Sequence, residues 1–413
     1  MTQDAVAADE AAPSNALRVR SFRYLWLNSI SFALVMNATR FVYGWVVLDG
    51  LNRSESEQGL VVFLLGIPTL VLVLPAGVWA DRLDRRWLLL GTQGGGAVVL
   101  FATAVLIGQG ELSMAMIVVS ALALGSILAI GSPVRSSLIP ELLPRELLYS
   151  GIALNALAMT GSMVVGAVVA QIVGDAFGFD GVFAYLGVLM VLGVAAIQRM
   201  DTPPRHESTG AVTMRAAVRE GLSFVARDPA LRTLFGLLAL AGMVMNALMF
   251  VTVQAFVKED LGRDAGDAAP LFGLIGVGLA VGSTIVMRRG NMPNKGTVFL
   301  RAMTCGTFIL ALMGRTTAFW QIATLCLFMG VAGGFFINMN QGLIQSNTPA
   351  HLMGRVMGLF ALVQAGLTPI GALAFGVLAD AIGPGDTITW AAGGAFVVTV
   401  ATYARAKAIH QIA

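Results

Sequence analysis

Arg40 stands in an otherwise apolar run, Ala33 to Leu48, with Asn37 one helical turn before it. An ionisable side chain in such a segment costs free energy and is usually functional. Its planar guanidinium suits a carboxylate, phosphate or catecholate oxygen. The alternative is an arginine that snorkels to a membrane interface or pairs with Asp49, nine residues on. Amides supply the other deep polar groups: Asn246, then Asn338, Asn340, Gln341 and Gln345. Phe335, Phe336, Met243, Met245 and Met249 offer an adaptable apolar wall, although packing alone accounts for them equally well. Arg135 lies nearer the end of its own apolar run, where a structural or gating role fits better than binding.

Acids are scarce. No Asp or Glu falls mid-way along an apolar segment, and His206, His351 and His410 lie in loops or the tail. Proton coupling needs a group that changes charge, which leaves Asp49 and Asp81 as candidates and puts coupling in doubt. Cys305 and Cys326 have neither metal-ligand nor redox spacing and read as small core residues. No nucleotide loop or nucleophile–base pair is present, so neither an enzyme nor a cofactor or bound metal is expected.

Apolar segments must position these groups. Of 413 residues, 57% are hydrophobic and only 12% charged, with mean hydropathy +0.80. Soluble domains carry about 25% charged residues, so the chain is expected to cross a bilayer repeatedly. At about 20 residues per crossing, twelve segments emerge: 24–48, 57–80, 87–108, 113–135, 147–173, 182–199, 232–257, 270–288, 297–313, 319–341, 355–379 and 387–405. The first twenty residues lack the apolar core of a cleavable signal. Twenty of the 26 Lys and Arg fall on one face of this arrangement. Positive residues stay cytoplasmic, so both termini are placed inside and the protein in the inner (plasma) membrane. The net charge of +3 thus reflects topology, and no nucleic-acid partner is expected.

Between the second and third segments, Gly77 to Arg86 reads Gly-Val-Trp-Ala-Asp-Arg-Leu-Asp-Arg-Arg. An offset of 205 residues brings Gly77 onto Gly282, Gly125 onto Gly330 and Pro144 onto Pro349. The same offset aligns Gly161, Gly166, Asp175 and Gly178 with Gly366, Gly371, Asp380 and Gly383. Two parallel six-helix halves follow, 1–200 and 231–413, joined by a linker at 201–230. In the linker, Met214, Val218, Leu222 and Val225 share one helical face, opposite Arg215, Arg219, Glu220 and Arg227. That amphipathic helix is expected to lie on the cytoplasmic surface.

The two repeats and the Gly-x-x-x-Asp-Arg-x-x-Arg-Arg loop resemble the major facilitator superfamily. Phe22-Arg23-Tyr24-Leu25-Trp26, Pro140-Glu141-Leu142-Leu143-Pro144-Arg145-Glu146 and Gly354-Arg355-Val356-Met357-Gly358-Leu359 are similar to its branch of siderophore exporters, macrolide efflux proteins and lysophospholipid transporters. The resemblance implies an all-α fold of twelve membrane helices, in which helices 1, 4, 7 and 10 line a central cavity. Arg40, Asn37, Asn246, Asn338, Asn340 and Gln341 are then the candidate substrate contacts. It also implies a cytoplasmic latch at Gly77, Asp81, Arg82 and Arg85, closing on the start of helix 11 at Arg355, with Arg135 nearby. Gly282-Ser283-Thr284-Ile285-Val286-Met287-Arg288 keeps the glycine and loses the acid, so a second latch there should be weak. The implied activity is alternating-access export of an amphipathic neutral or anionic small molecule by a monomer, with protons as the candidate coupling ion. The alternatives are lysophospholipid transport and a transporter-like sensor or scaffold. Asp84 departs from the glycine of many relatives, and the antiporter signature of helix 5 lacks its proline.

Overall fold

The computed structural model describes residues 16–201, 214–289, 294–349 and 352–405. They form helices α1 (Arg20–Gly50), α2 (Glu55–Arg82), α3 (Arg85–Gly108), α4 (Met114–Leu142), α5 (Leu148–Gln198) and α6 (Met214–Arg227). Then come α7 (Pro229–Glu259), α8 (Ala265–Arg289), α9 (Lys295–Met313), α10 (Phe319–Ser346), α11 (Met353–Ile382) and α12 (Pro384–Arg405). Among the described residues, eleven helices are long and apolar enough to cross a membrane; α6 is the exception.

Polar residues set where the crossings begin. Ser54 and Glu57 form a capping box at α2, and Asp84, Ser113 and Asp228 accept hydrogen bonds from the first amides of α3, α4 and α7. Such caps satisfy amides that a helix start would otherwise leave unpaired. Straight, the 51-residue α5 would reach roughly 77 Å, more than twice a bilayer core of about 30 Å. It turns back at Gly178, where φ is 74° and ψ is −177°, and so contains two crossings. The twelve segments read from the sequence are thereby accounted for.

The internal repeat shows up as shared tasks. Gly383, the counterpart of Gly178, also has positive φ (86°) and separates α11 from α12. Gly166 packs on the α1 backbone at Leu34 and Ala38, and Gly371 packs on the α7 backbone at Met243. Gly125 of α4 sits against Leu65 of α2, where a Cβ would come within 2.1 Å of the Leu65 carbonyl oxygen. Gly330 of α10 repeats that contact on Ile275 of α8, at 2.2 Å. Small residues let membrane helices approach backbone to backbone, and here they do so at equivalent places in both halves.

The halves meet chiefly where α2 crosses α11 and where α5 crosses α8. Gly66 leaves room for Pro369, and Gly366 for Leu70. On the second crossing, Gly276 lies against Val164. In α6, Val225 is buried and Leu222 is exposed. The side chains of Met214, Arg215 and Val218 fall outside the described residues.

Candidate functional site

Between the halves lies a cavity of about 230 Å³. Arg40 and Asn37 of α1, Asn246 of α7 and Gln364 of α11 give it polar groups, and Met245, Met249, Phe250 and Phe336 line it apolarly. Helix α7 passes it in two π-helical turns, Ala241–Asn246 and Leu248–Thr252. A π turn inserts an extra residue and is often found at functional sites; here it carries Asn246 to the cavity wall. A second cavity, of about 190 Å³, lies toward α2 and α4 and adds Thr39, Thr69, Ser132 and Thr368. Arg40 and Phe250 belong to both cavities and form the partition between them.

The Arg40 guanidinium lies 5.3 Å from the Phe250 ring centroid. Among the described residues it has no carboxylate partner and no hydrogen bond. Neither cavity is lined by a described Asp or Glu. An unneutralised guanidinium in a low-dielectric cavity presents a strong positive potential, and its donors match planar oxyanions. Asn37 donates to Ala33 O (3.0 Å) and to Ser162 Oγ (2.9 Å), so it also fixes α1 against α5.

The other expected contacts lie elsewhere. Asn338 donates to Ser283 Oγ at 2.9 Å and to Gly334 O at 2.7 Å, tying α10 to α8. Asn340 is fully buried and reaches Leu234 O at 3.4 Å. Neither of them, nor Gln341, nor Met243 and Phe335, is among the residues lining the cavity. Arg135 is buried inside the first half, where its Nε donates to Asn28 Oδ1 (2.8 Å) and its Nη1 to Gly131 O (3.1 Å). Its guanidinium also stacks 3.7 Å from the centroid of Phe32. Asp49, weighed as a partner for Arg40, instead pairs with Lys258 at 3.3 Å and accepts from Trp45 Nε1 at 3.0 Å.

Polar groups close the cavity at the end carrying the first loop, Leu51 to Ser54. Gln58 of α2 donates to Gln254 of α7 at 2.9 Å, and Gln254 donates to Phe41 O of α1 at 3.2 Å. Gly44 makes room for this pair, since a Cβ there would come within 2.4 Å of Gln254 Oε1. Lys258 adds bonds to Leu48 O and Asn52 Oδ1. Asp380 accepts from the amides of Glu55 (2.9 Å) and Ser56 (3.2 Å). Nearby, burial pushes the Asp260 carboxyl above its usual range; Glu259 and Asp386 add to this and the Gly385 N–H opposes it. Gln58, Gln254, Gln364 and Glu55 were not singled out from the sequence. Amides and acids near helix ends carry no special spacing, and the seam becomes visible only once α2 is laid against α7 and α11.

The sequence pattern of the Major Facilitator Superfamily matches residues 25–372. The chain belongs to this superfamily. It is therefore a multi-pass membrane transporter and not an enzyme. The multidrug efflux pump Tap of Mycolicibacterium fortuitum is 27% identical over 361 residues, 84% of this chain and 86% of its own. The enterobactin exporter EntS of Salmonella typhi is 24% identical over 347 residues, 82% of this chain and 81% of its own. Among solved structures, the nucleoside transporter NupG superposes with TM-score 0.75 at 12% identity, covering 95% of this chain and 99% of NupG. A bacterial homologue of the human lysosomal transporter Spinster, in an inward-facing and unoccupied conformation, gives 0.69 at 15% identity over 95% and 96% of the two chains.

At the opposite end of this superfamily member, the side chains of Gly77, Asp81 and Arg82 lie outside the described residues. The neighbouring arginines are fixed within the first half: Arg85 pairs with Glu141 of α4, and Arg86 donates to Gln198 O of α5 at 2.8 Å. Asp84 caps α3 by accepting from the Arg86 amide at 2.8 Å, so the residue replacing the usual glycine starts that helix. Arg355, at the start of α11, pairs with Glu220 of α6. Gly221 packs against the Arg355 backbone beside it, joining the linker helix to α11.

Proposed function

We propose that this chain is a secondary transporter that exports an amphipathic, neutral or anionic small molecule by alternating access. The observation that carries this reading is Arg40, a guanidinium without a carboxylate partner, inside an apolar cavity between the halves. It would hold an oxyanion or carbonyl of the cargo, while Met245, Met249 and Phe336 accommodate its apolar body. The acid-free lining disfavours cationic cargo. Tap and EntS, named for a multidrug pump and a siderophore exporter, support efflux as the direction.

In this proposal the arginine-rich end faces the cytoplasm of the plasma membrane. The seam at the first loop is then the outer gate, and the conformation described is closed to the outside. The halves, 1–200 and 231–413, would rock about the cavity while the 201–230 linker tethers them. The test is efflux from cells of a catecholate siderophore and of a neutral macrolide, with wild type and with Arg40→Ala at equal membrane abundance. Loss of catecholate efflux in the variant supports the reading; unchanged efflux of both removes Arg40 from the site. Vesicles containing a labelled lysophospholipid test the alternative, and its movement by the purified protein would replace the exporter assignment.

A further inference from the structure

Glu55, the first residue of α2, is only 5% exposed. Its own amide and that of Ser56 bind the two oxygens of Asp380, which projects from the end of α11 in the other half. Asp380 thereby caps α2 across the seam, and the positive N-terminus of that helix favours its charged form. The Glu55 carboxyl lies against this same Asp380 carboxyl, with the exposed Glu259 carboxyl of α7 facing it as well. Glu55 Oε1 is fully buried and receives no hydrogen bond.

Among the described residues, no cation serves this group. Lys258, one residue from Glu259, directs its ammonium to Asp49, Leu48 O and Asn52. Arg53 pairs with Glu57 at 3.7 Å, and Arg315 pairs with Asp386 at 2.9 Å. Arg263 pairs with Asp267 at 3.1 Å. The helix backbones touch beside this group, while Asp380 and Glu259 themselves are exposed. A Cβ on Gly376 would come within 2.5 Å of Glu55 O, and one on Gly59 within 2.6 Å of Ala372 O. Carboxyls that share a site without a cation repel one another when ionised. A proton on Glu55, donated to the Asp380 carboxylate, resolves the conflict and turns repulsion across the seam into a hydrogen bond.

We propose that Glu55 is a proton-binding site whose occupancy locks the first-loop end of the transporter closed. Opening that end pulls α2 from α11, separates Glu55 from Asp380 and gives its carboxyl to water, where it ionises. The proton is then a ligand of the closed state, and it shifts the conformational equilibrium only through that difference. The site is separate from Arg40, so proton and cargo communicate through the position of α2 and do not compete for one group. The sign follows directly. Closure is favoured at low pH and weakens as pH rises between the open-state and closed-state pKa values of Glu55, by at most about tenfold in the closed-to-open ratio per pH unit. This inference rests on the alternating-access reading, but the two can fail separately.

The test uses the full-length protein in nanodiscs, with Cys305→Ser and Cys326→Ala and spin labels on Glu111→Cys and Thr317→Cys. These exposed loop positions lie at the first-loop end, one in each half. Interlabel distances are measured by pulsed electron resonance from pH 5 to pH 9. The expected result is a short distance at low pH and a growing long-distance population above neutrality. Glu55→Gln should hold the short distance throughout, because the amide is neutral at every pH. Asp380→Asn should shift the transition to lower pH or flatten it, because Glu55 then ionises with one facing charge fewer. A wild type that ignores pH, or a Glu55→Gln variant that opens as wild type does, overturns the lock. A pH-dependent distance in a protein that moves no cargo would leave the lock standing and remove the transport reading.

Discussion

At the scale of single residues, the two arginines of the apolar segments solve opposite problems. Arg135 is held from within the first half by Asn28, Gly131 and the Phe32 ring, with only its buried Nη2 left without a hydrogen bond. Among the described residues, Arg40 has the Phe250 ring and no hydrogen bond or ion pair. Removing one partner from a buried charge costs more than the bond was worth, because the charge stays behind. Asn28→Ala is therefore expected to destabilise the first half by about 2 kcal/mol, seen as a lower melting temperature in detergent, with cargo affinity unchanged once folded. Arg40→Ala should do the reverse. The melting temperature should hold or rise, while transport of an anionic cargo falls by about tenfold or more, the worth of a charged hydrogen bond of about 1.5–3 kcal/mol. Arg40→Lys keeps the charge and loses the fork, so an intermediate transport rate is expected. Equal rates for the lysine and alanine variants would show that the planar geometry is what counts.

At the scale of elements, the glycines carry most of what holds the helices in place. Gly178 joins two crossings in a conformation that side chains other than glycine rarely reach, and Gly383 has the same task in the second half. Gly178→Ala should cost about 1–3 kcal/mol, measured as reduced thermal stability. Gly161→Ala, where an added methyl meets nothing within 4 Å, is the control and should be tolerated. Much of this was legible in the chain. Of the glycines paired by the 205-residue offset, Gly125 with Gly330, Gly166 with Gly371 and Gly178 with Gly383 share roles, because a backbone contact or a positive φ demands glycine itself. Gly161 and Gly366 do not. The cavity was only partly legible. Arg40, Asn37 and Asn246 stood out as polar residues in apolar runs, and they line it. Asn338 and Asn340 stood out equally, yet they bond α8 and α7, because an amide on a helix bonds a neighbouring helix as readily as a cargo. Glu55 escaped notice because it stands at a helix start, where an acid ordinarily faces water and favours the helix dipole. Only the approach of α11 buries it.

At the scale of the whole molecule, the hydrogen bonds and ion pairs that bridge the halves among the described residues cluster at the first-loop end, while the linker helix is tied to α11 through Glu220 and Arg355 and packs on α7 through Val225. The closed seam is therefore a set of weak links that open together, and their partial removal should shift the population without unfolding either half. Asp49 and Lys258 are the natural pair to probe. Their 3.3 Å bridge joins α1 to α7 and is about a quarter exposed. A pair of this exposure is worth up to about 1 kcal/mol, so Lys258→Met should raise the open fraction about fivefold at a fixed pH. The bonds of Lys258 to Leu48 and Asn52 are lost in the same step and push in the same direction. The readout is alkylation of Gln58→Cys by a membrane-impermeant maleimide, in a protein stripped of Cys305 and Cys326. Gln58 is fully buried in the closed seam and reachable only when the halves part. Faster labelling in Lys258→Met, with an unchanged melting temperature, is the expected outcome. Equal labelling in both backgrounds would mean that packing at Gly59, Gly66 and Gly376 holds the halves together without help from charge.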